Sequence, residues 1–215
     1  MCGRFVLFTT GNELIDAIAA IPGVDSVAAP DGTPPPRYNV APTQQVPLVR
    51  LKGAQASLNA ARWGLIPRWK KDERGAPLFN ARAETVAEKP SFRQAFAARR
   101  GLMVLDGYYE WKDKVPYFVA PERGMLYAAA LWETGGDQLS ATMVTTAAAE
   151  PMEWLHHRLP LFLLPEEVEQ WVHGTPEQAG ELLGPSRVAG ELRARHAAPE
   201  VGNVRNDHAE LMGAN

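Results

Sequence analysis

Six short apolar runs, each closed off by glycine, proline or polar turn residues, constrain this fold more than any other feature. They lie at 46–51, 57–63, 101–105, 115–119, 125–131 and 142–146. Runs of this length and bounding are strands, too short for core helices. Helical signals fill the gaps between them. Thr10 and Glu13 form a capping-box pattern ahead of Leu14, Ile15, Ile18 and Ile21, and Pro22-Gly23 stops that helix. The segments 90–100, 151–157, 165–172 and 176–183 each carry proline near a first turn. Residues 23–37 are turn-rich and read as a surface loop. The pattern predicts an α+β fold with a β-rich core and peripheral short helices. With no repeat and no Pro/Gly/Ser linker, residues 1–215 read as a single domain.

Composition bounds the rest. A 215-residue chain that is 46% hydrophobic can bury a substantial core. One cysteine excludes an intrachain disulfide framework. No early apolar segment has a basic flank and no run reaches about 18 apolar residues, so a cytosolic protein without a membrane partner is expected. The net charge of -3 argues against a generally basic nucleic-acid coat. The sign is nevertheless uneven: residues 62–100 sum to +6 and residues 121–180 to -7, which fits either a basic patch on an acidic body or a solvated face with scattered charges.

The single cysteine is Cys2, directly behind Met1. Removal of Met1 would leave an α-amine and a thiol on one residue. An α-amine titrates near 7.7–8.0, so about one in seven is unprotonated at pH 7, against about one in 2,500 for lysine. Such an amine condenses with an aldehyde to an imine. The neighbouring thiol can then add to the imine carbon and close a five-membered thiazolidine. The bland alternative is an incidental residue at a frayed terminus. Against that, Gly3-Arg4-Phe5-Val6-Leu7-Phe8 is β-prone and would hold the terminus in a sheet.

Other candidate groups sit at strand ends and turns. Asn80 and Arg82 are two residues apart and share a face if extended. Glu110, in Asp106-Gly107-Tyr108-Tyr109-Glu110-Trp111, could act in proton transfer between aromatics or simply pair with an arginine. His156-His157 closes the expected 151–157 helix, where a helix C-terminus would favour a protonated imidazole. No histidine or cysteine has zinc-ligand spacing, so no metal is expected, and no phosphate loop is present.

Taken together, Met1-Cys2-Gly3-Arg4-Phe5, Tyr38-Asn39-Val40-Ala41-Pro42-Thr43, Arg62-Trp63-Gly64-Leu65-Ile66-Pro67, Asn80-Ala81-Arg82-Ala83-Glu84, Gly107-Tyr108-Tyr109-Glu110-Trp111, His156-His157-Arg158-Leu159-Pro160 and Val201-Gly202-Asn203-Val204 resemble the SOS-response-associated peptidase (SRAP) family. The resemblance spans almost the whole chain. It implies a barrel-like, mainly antiparallel core and capture of abasic sites in single-stranded DNA, by a monomer without cofactor, in a nucleoid-associated cytoplasmic setting. It further implies catalytic roles for Cys2, Asn80, Glu110 and His156. Arg4, Arg82 and Arg158 would contact phosphates, and Asn39, Pro42, Trp63 and Trp69 would line the strand channel or stack bases. Trp63 and Trp69 could equally be core aromatics. Leu159 stands where the family motif has Met, and Ala148-Ala149 replaces an Ala-Asn pair. Two other classes stay open: an N-terminal-nucleophile amidohydrolase or autoprocessing peptidase, and a noncatalytic single-strand DNA module.

Overall fold

The computed structural model describes residues 2–71 and 74–214. Its strands are β1 (Arg4–Leu7), β2 (Ser26–Ala28), β3 (Arg37–Val40), β4 (Gln45–Lys52), β5 (Gln55–Trp63), β6 (Asn80–Arg82), β7 (Arg100–Leu105), β8 (Gly107–Lys112), β9 (Val115–Pro121), β10 (Leu126–Gly135), β11 (Gln138–Ala147), β12 (Arg158–Pro160), β13 (Phe162–Leu163) and β14 (Leu192–His196). Antiparallel pairing runs β5-β4-β7-β10-β11. Parallel pairs Ser140 with Arg62 and Ala141 with Trp63 join β11 back to β5. That contact closes the five strands into a barrel, which removes exposed edges. Every residue of β7 is buried, because the strand has barrel interior on one side and other elements on its outer side. This is why residues 101–105 read as an unbroken apolar run.

A second sheet, ordered β14-β9-β8-β1-β3, is antiparallel throughout. The close approach of β8 to β9 depends on Gly107: a Cβ there would lie 2.5 Å from the Phe118 ring and 2.7 Å from the Val119 carbonyl. Buried Asp106 accepts hydrogen bonds from Phe8 N (2.6 Å), Thr9 N (2.9 Å) and Thr9 Oγ1 (2.6 Å). It pins the chain leaving β1 to the β7–β8 junction, and so fixes where the N-terminus enters the sheet.

The helices are short: α1 (Gly11–Ala19), α2 (Arg93–Ala98), α3 (Val168–His173) and α4 (Pro176–Gly180). Helix α1 buries Leu14 and Ile18, as its apolar spacing requires. Thr10 sits at its N-cap but makes no side-chain cap bond, so the expected capping box does not form there. One forms at α4 instead, where Thr175 Oγ1 accepts from Gln178 N and Gln178 Oε1 accepts from Thr175 N. Two further expectations are corrected. Residues 151–157 make turns and no helix, because Met152 and Leu155 are drawn into the core on a turn spacing. Residues 23–37 are not loop throughout, since β2 adds in parallel to β5. No helix among the described residues is long and apolar enough to cross a membrane.

Candidate active site

Strand β1 lies between β8 and β3, with Arg4 opposite Tyr109 and Phe5 opposite both Tyr108 and Val40. This inner position carries Cys2 into the interior, where it is fully buried. Its thiol points to the Arg4 carbonyl at 3.7 Å. Asn80 Nδ2 donates to the Cys2 carbonyl (2.8 Å), which fixes the cysteine's backbone. Asn80 Oδ1 is buried and has no hydrogen-bond partner among the described residues. A buried acceptor left open is costly, and it is the sort of atom a bound molecule can satisfy.

Asn80 is held from behind. It opens β6, which adds in parallel to β11 through Met143. Trp63 Nε1 donates to the Phe79 carbonyl (2.9 Å), and the indole meets Phe79 at 5.9 Å and Phe5 at 5.2 Å between ring centres. Trp63 is 0% exposed. Of the two expected roles, base stacking or core packing, this burial fits the core aromatic: the indole wedges β1 against β6 from inside the core. Trp69, at 64% exposed, remains available to a ligand.

Glu110 on β8 is buried, and its Oε1 accepts from Trp111 N (3.2 Å). Its charge acts on both the Cys2 thiol and the His156 ring, which places all three groups within one electrostatic neighbourhood. Burial, then Glu110, pushes the thiol far above the ordinary cysteine range, so it is neutral at pH 7. Tyr108 belongs to the same cluster. It is two residues before Glu110 on the strand and shares its face. Its phenol is raised by burial first, then by Cys2 and Glu110. Sequence reasoning passed over Tyr108, although the i, i+2 relation to Glu110 was available.

His156 Nδ1 lies 3.0 Å from Arg158 N and 3.1 Å from Arg158 O. A neutral ring can accept from that N–H, and a protonated ring can donate to that carbonyl, so the site tolerates both states. Burial is the first cause holding the imidazole below its ordinary value, while Glu110 pulls the other way. The expected helix C-terminus is absent, and with it the dipole that would have favoured the cation. His157 stacks on His156 at 4.3 Å.

The remaining candidates divide by exposure. Arg82 is exposed on β6, beyond Asn80. Arg158 is buried and makes a two-pronged bond to Glu84 (2.8 and 3.0 Å) and a bond to the Thr145 carbonyl (2.6 Å). Arg4 donates to the Val201 carbonyl (2.9 Å) and lies over Trp111. Asn39 is fully buried, with Nδ2 donating to the carbonyls of Val201, Asn203 and Asn206. It clamps the 201–206 segment, which explains why Val201-Gly202-Asn203-Val204 reads as a motif. Pro42 is half-buried, ahead of Thr43 at φ 75°. The basic patch is also smaller than its charge count. Arg62 donates to Gly64 O, Arg99 pairs with Glu133, and Arg100 is buried on the carbonyls of Phe96, Ala97 and Trp171.

Barrel and site together define a β-barrel protein whose penultimate cysteine is anchored by an amide beside a carboxylate and an imidazole. The sequence profile of the SOS response associated peptidase (SRAP) family matches residues 1–204, and the chain belongs to this family. It is 35% identical to the abasic site processing protein YoqW of Bacillus subtilis, with 99% of each chain covered. It is 31% identical to the abasic site processing protein YedK of Escherichia coli, again over 99% of each. A chicken relative, the abasic site processing protein HMCES, is 29% identical over 82% of this chain and 66% of that protein. A solved protein from Bordetella bronchiseptica shares the fold at a TM-score of 0.75 and 19% identity, covering 92% of this chain and all of that one.

Proposed function

We propose that this chain recognises abasic sites in single-stranded DNA and captures their aldehyde on Cys2 as a thiazolidine. The observation that carries the proposal is the convergence on Cys2 of an Asn80 hydrogen bond and the Glu110 charge that also reaches His156. Neither a simple binding module nor an incidental terminus accounts for that grouping. The relatives' names supply the substrate class.

The chemistry follows from the protonation states. Removal of Met1, which lies outside the described residues, frees the Cys2 amine. The neutral thiol is then a poor first nucleophile, so the amine attacks first. His156 donates a proton to the deoxyribose ring oxygen as its bond to C1' breaks and the C1' hydroxyl gives up its own proton, opening the sugar to its aldehyde. Amine addition gives a carbinolamine, which loses water to form the imine, with Glu110 taking the amine's proton. The thiol sulfur then bonds to the imine carbon and its proton passes to the nitrogen, which closes the ring. Consuming the imine suppresses the β-elimination that would cut the strand, leaving a lyase activity as the side reaction. Arg82 and Trp69 contact the flanking phosphates and bases, with Pro42 shaping the channel; Arg4 and Arg158 border it while bound to protein groups.

Intact-mass analysis tests this directly. Protein lacking Met1, mixed with an oligonucleotide bearing one abasic site, should gain the oligonucleotide's mass less one water, and nothing with intact DNA. No adduct from correctly processed protein would overturn the proposal. The family's name keeps a peptidase or amidohydrolase reading in view, but a thiol held neutral by burial disfavours attack by a thiolate. Release of glutamate from glutamine would be its signature.

A further inference from the structure

Residues 148–157 carry His156, yet they contain neither helix nor strand. The segment closes on itself where Ala148 N donates to the His157 carbonyl (3.0 Å), and Met152 and Leu155 anchor it in the core. Between those two anchors Trp154 is 46% exposed. Lys112, the last residue of β8, reaches it from outside. Its Nζ donates to the Trp154 carbonyl (2.6 Å) and lies 5.1 Å from the centre of the indole. The same indole meets Tyr117 edge-on at 5.1 Å. Tyr117 stands directly opposite Glu110 in the β8–β9 register.

A chain of contacts outside the candidate site therefore joins the turn segment bearing the imidazole to the hairpin bearing the carboxylate. We propose that Lys112 and Trp154 are positioning residues, which hold His156 in register with Glu110 for aldehyde capture. The proposal rests on the function proposed above. Proton transfer demands placement finer than an irregular segment secures by itself, and small displacements are expensive in rate. The Lys112 bond falls on a carbonyl two residues before His156, close enough to set the ring's backbone. The cation over the indole and the indole against Tyr117 restrict the one anchor point that faces solvent. Lys112 and Trp154 touch no reacting atom, so their effect would pass through His156 alone.

The test compares Lys112→Met, Trp154→Leu and Lys112→Arg. In DNA-free protein, an NMR titration of His156 should move toward the ordinary histidine value in the first two variants. Four groups near the ring matter to this titration: Glu110, the N-terminal amine, the Arg158 backbone and His157. Trp154→Leu changes no charge, so its shift reports ring placement and not the loss of an ammonium. With a saturating abasic oligonucleotide, the single-turnover crosslinking rate should fall about tenfold in both. Affinity for an oligonucleotide carrying a tetrahydrofuran analogue, which lacks the aldehyde, should be unchanged. Lys112→Arg should restore the rate, since it keeps both donor and cation.

An unchanged titration and an unchanged rate would overturn the proposal. So would lost affinity with an intact saturated rate, which would make Trp154 a base-stacking contact instead. If wild-type protein forms no adduct at all, the functional reading fails. The His156 titration would still decide whether the tie places the ring.

Discussion

Glu133 and Glu110 are both buried, but the regions around them use charge in opposite ways. Glu133, on β10 of the barrel, faces the guanidinium groups of Arg99 and, at 3.3 Å, Arg68. Glu110, on β8 in the candidate site, acts on a thiol that burial keeps neutral and an imidazole that burial holds below its usual range. Neutralising cations commit Glu133 to structure. In the proposed aldehyde capture, Glu110's neighbours are groups that would gain or lose protons, so its burial would serve that reaction. A buried carboxylate is therefore assigned by what stands beside it, and burial alone does not tell the two roles apart.

The most severe way to probe the pocket side is Cys2→Ala. It keeps an N-terminal amine after Met1 removal, so a borohydride-trappable imine and some strand cleavage should survive while the stable adduct disappears. A heat-stable adduct from this variant, seen on a denaturing gel, would sink the thiazolidine.

The glutamate pair is tested by matched substitutions. Glu110→Gln should slow crosslinking by about 10²-fold with little change in urea stability. Glu133→Gln should do the reverse, costing about 3 kcal/mol because it leaves Arg99 without its buried partner. If both variants lose rate, or both lose stability, the contrast between the regions is false.

The tryptophans offer a similar dissociation of smaller size. Trp63→Ala should cost about 3 kcal/mol of folding stability, through lost burial and a cavity between β1 and β6. Trp69→Ala should leave stability intact and weaken single-strand binding by about 1–2 kcal/mol. Fluorescence anisotropy and urea melts on the same samples decide it. Arg82→Ala should reduce the salt dependence of binding by about 0.7 in log–log slope, as expected for one phosphate contact on a single strand.

The smallest effect concerns pH. Because burial lowers the His156 pKa, the folded state binds that proton more weakly than the unfolded chain does. Stability is then full above the unfolded value, near 6.5. It declines as pH falls from there to the folded pKa, and is flat below it. His156→Asn should remove this part of the pH dependence in thermal melts. In crosslinking, the acid form is populated only as pH drops toward the lowered value, while protonation of the Cys2 amine opposes it, so the rate should be bell-shaped.

Much of the site was legible in residue order. The β-prone stretch after Cys2 is β1, and the alternation in Asn80-Ala81-Arg82 does turn Ala81 inward and leave Arg82 exposed. Strand runs were legible because short apolar stretches and bounding turns are local signals. Where reading failed, a distant contact overrode a local preference. Proline at 151 and the following spacing suit a helix, but Met152 and Leu155 are claimed by the core and the segment folds as turns. Thr10 suits a cap, yet the cap bond forms at Thr175. For Trp63 the sequence left base stacking and a core position equally open, and for Asn39 it offered no packing role, because their partners, at Phe5 and Phe79 and at 201–206, lie far along the chain.

By itself the sequence determined the residue types that any aldehyde chemistry here must use, the strand-rich fold class, and the placement of cysteine beside the terminal amine. Those follow from local periodicity and from the covalent structure of the chain. Tertiary structure alone decided that β11 closes on β5, that Asn80 meets the Cys2 carbonyl, and that Glu110 reaches both the thiol and His156. Each of these joins residues tens of positions apart. Such contacts form only when burial of the shared core offsets the entropy of closing the loops between them, and no local pattern records which pairs that balance selects.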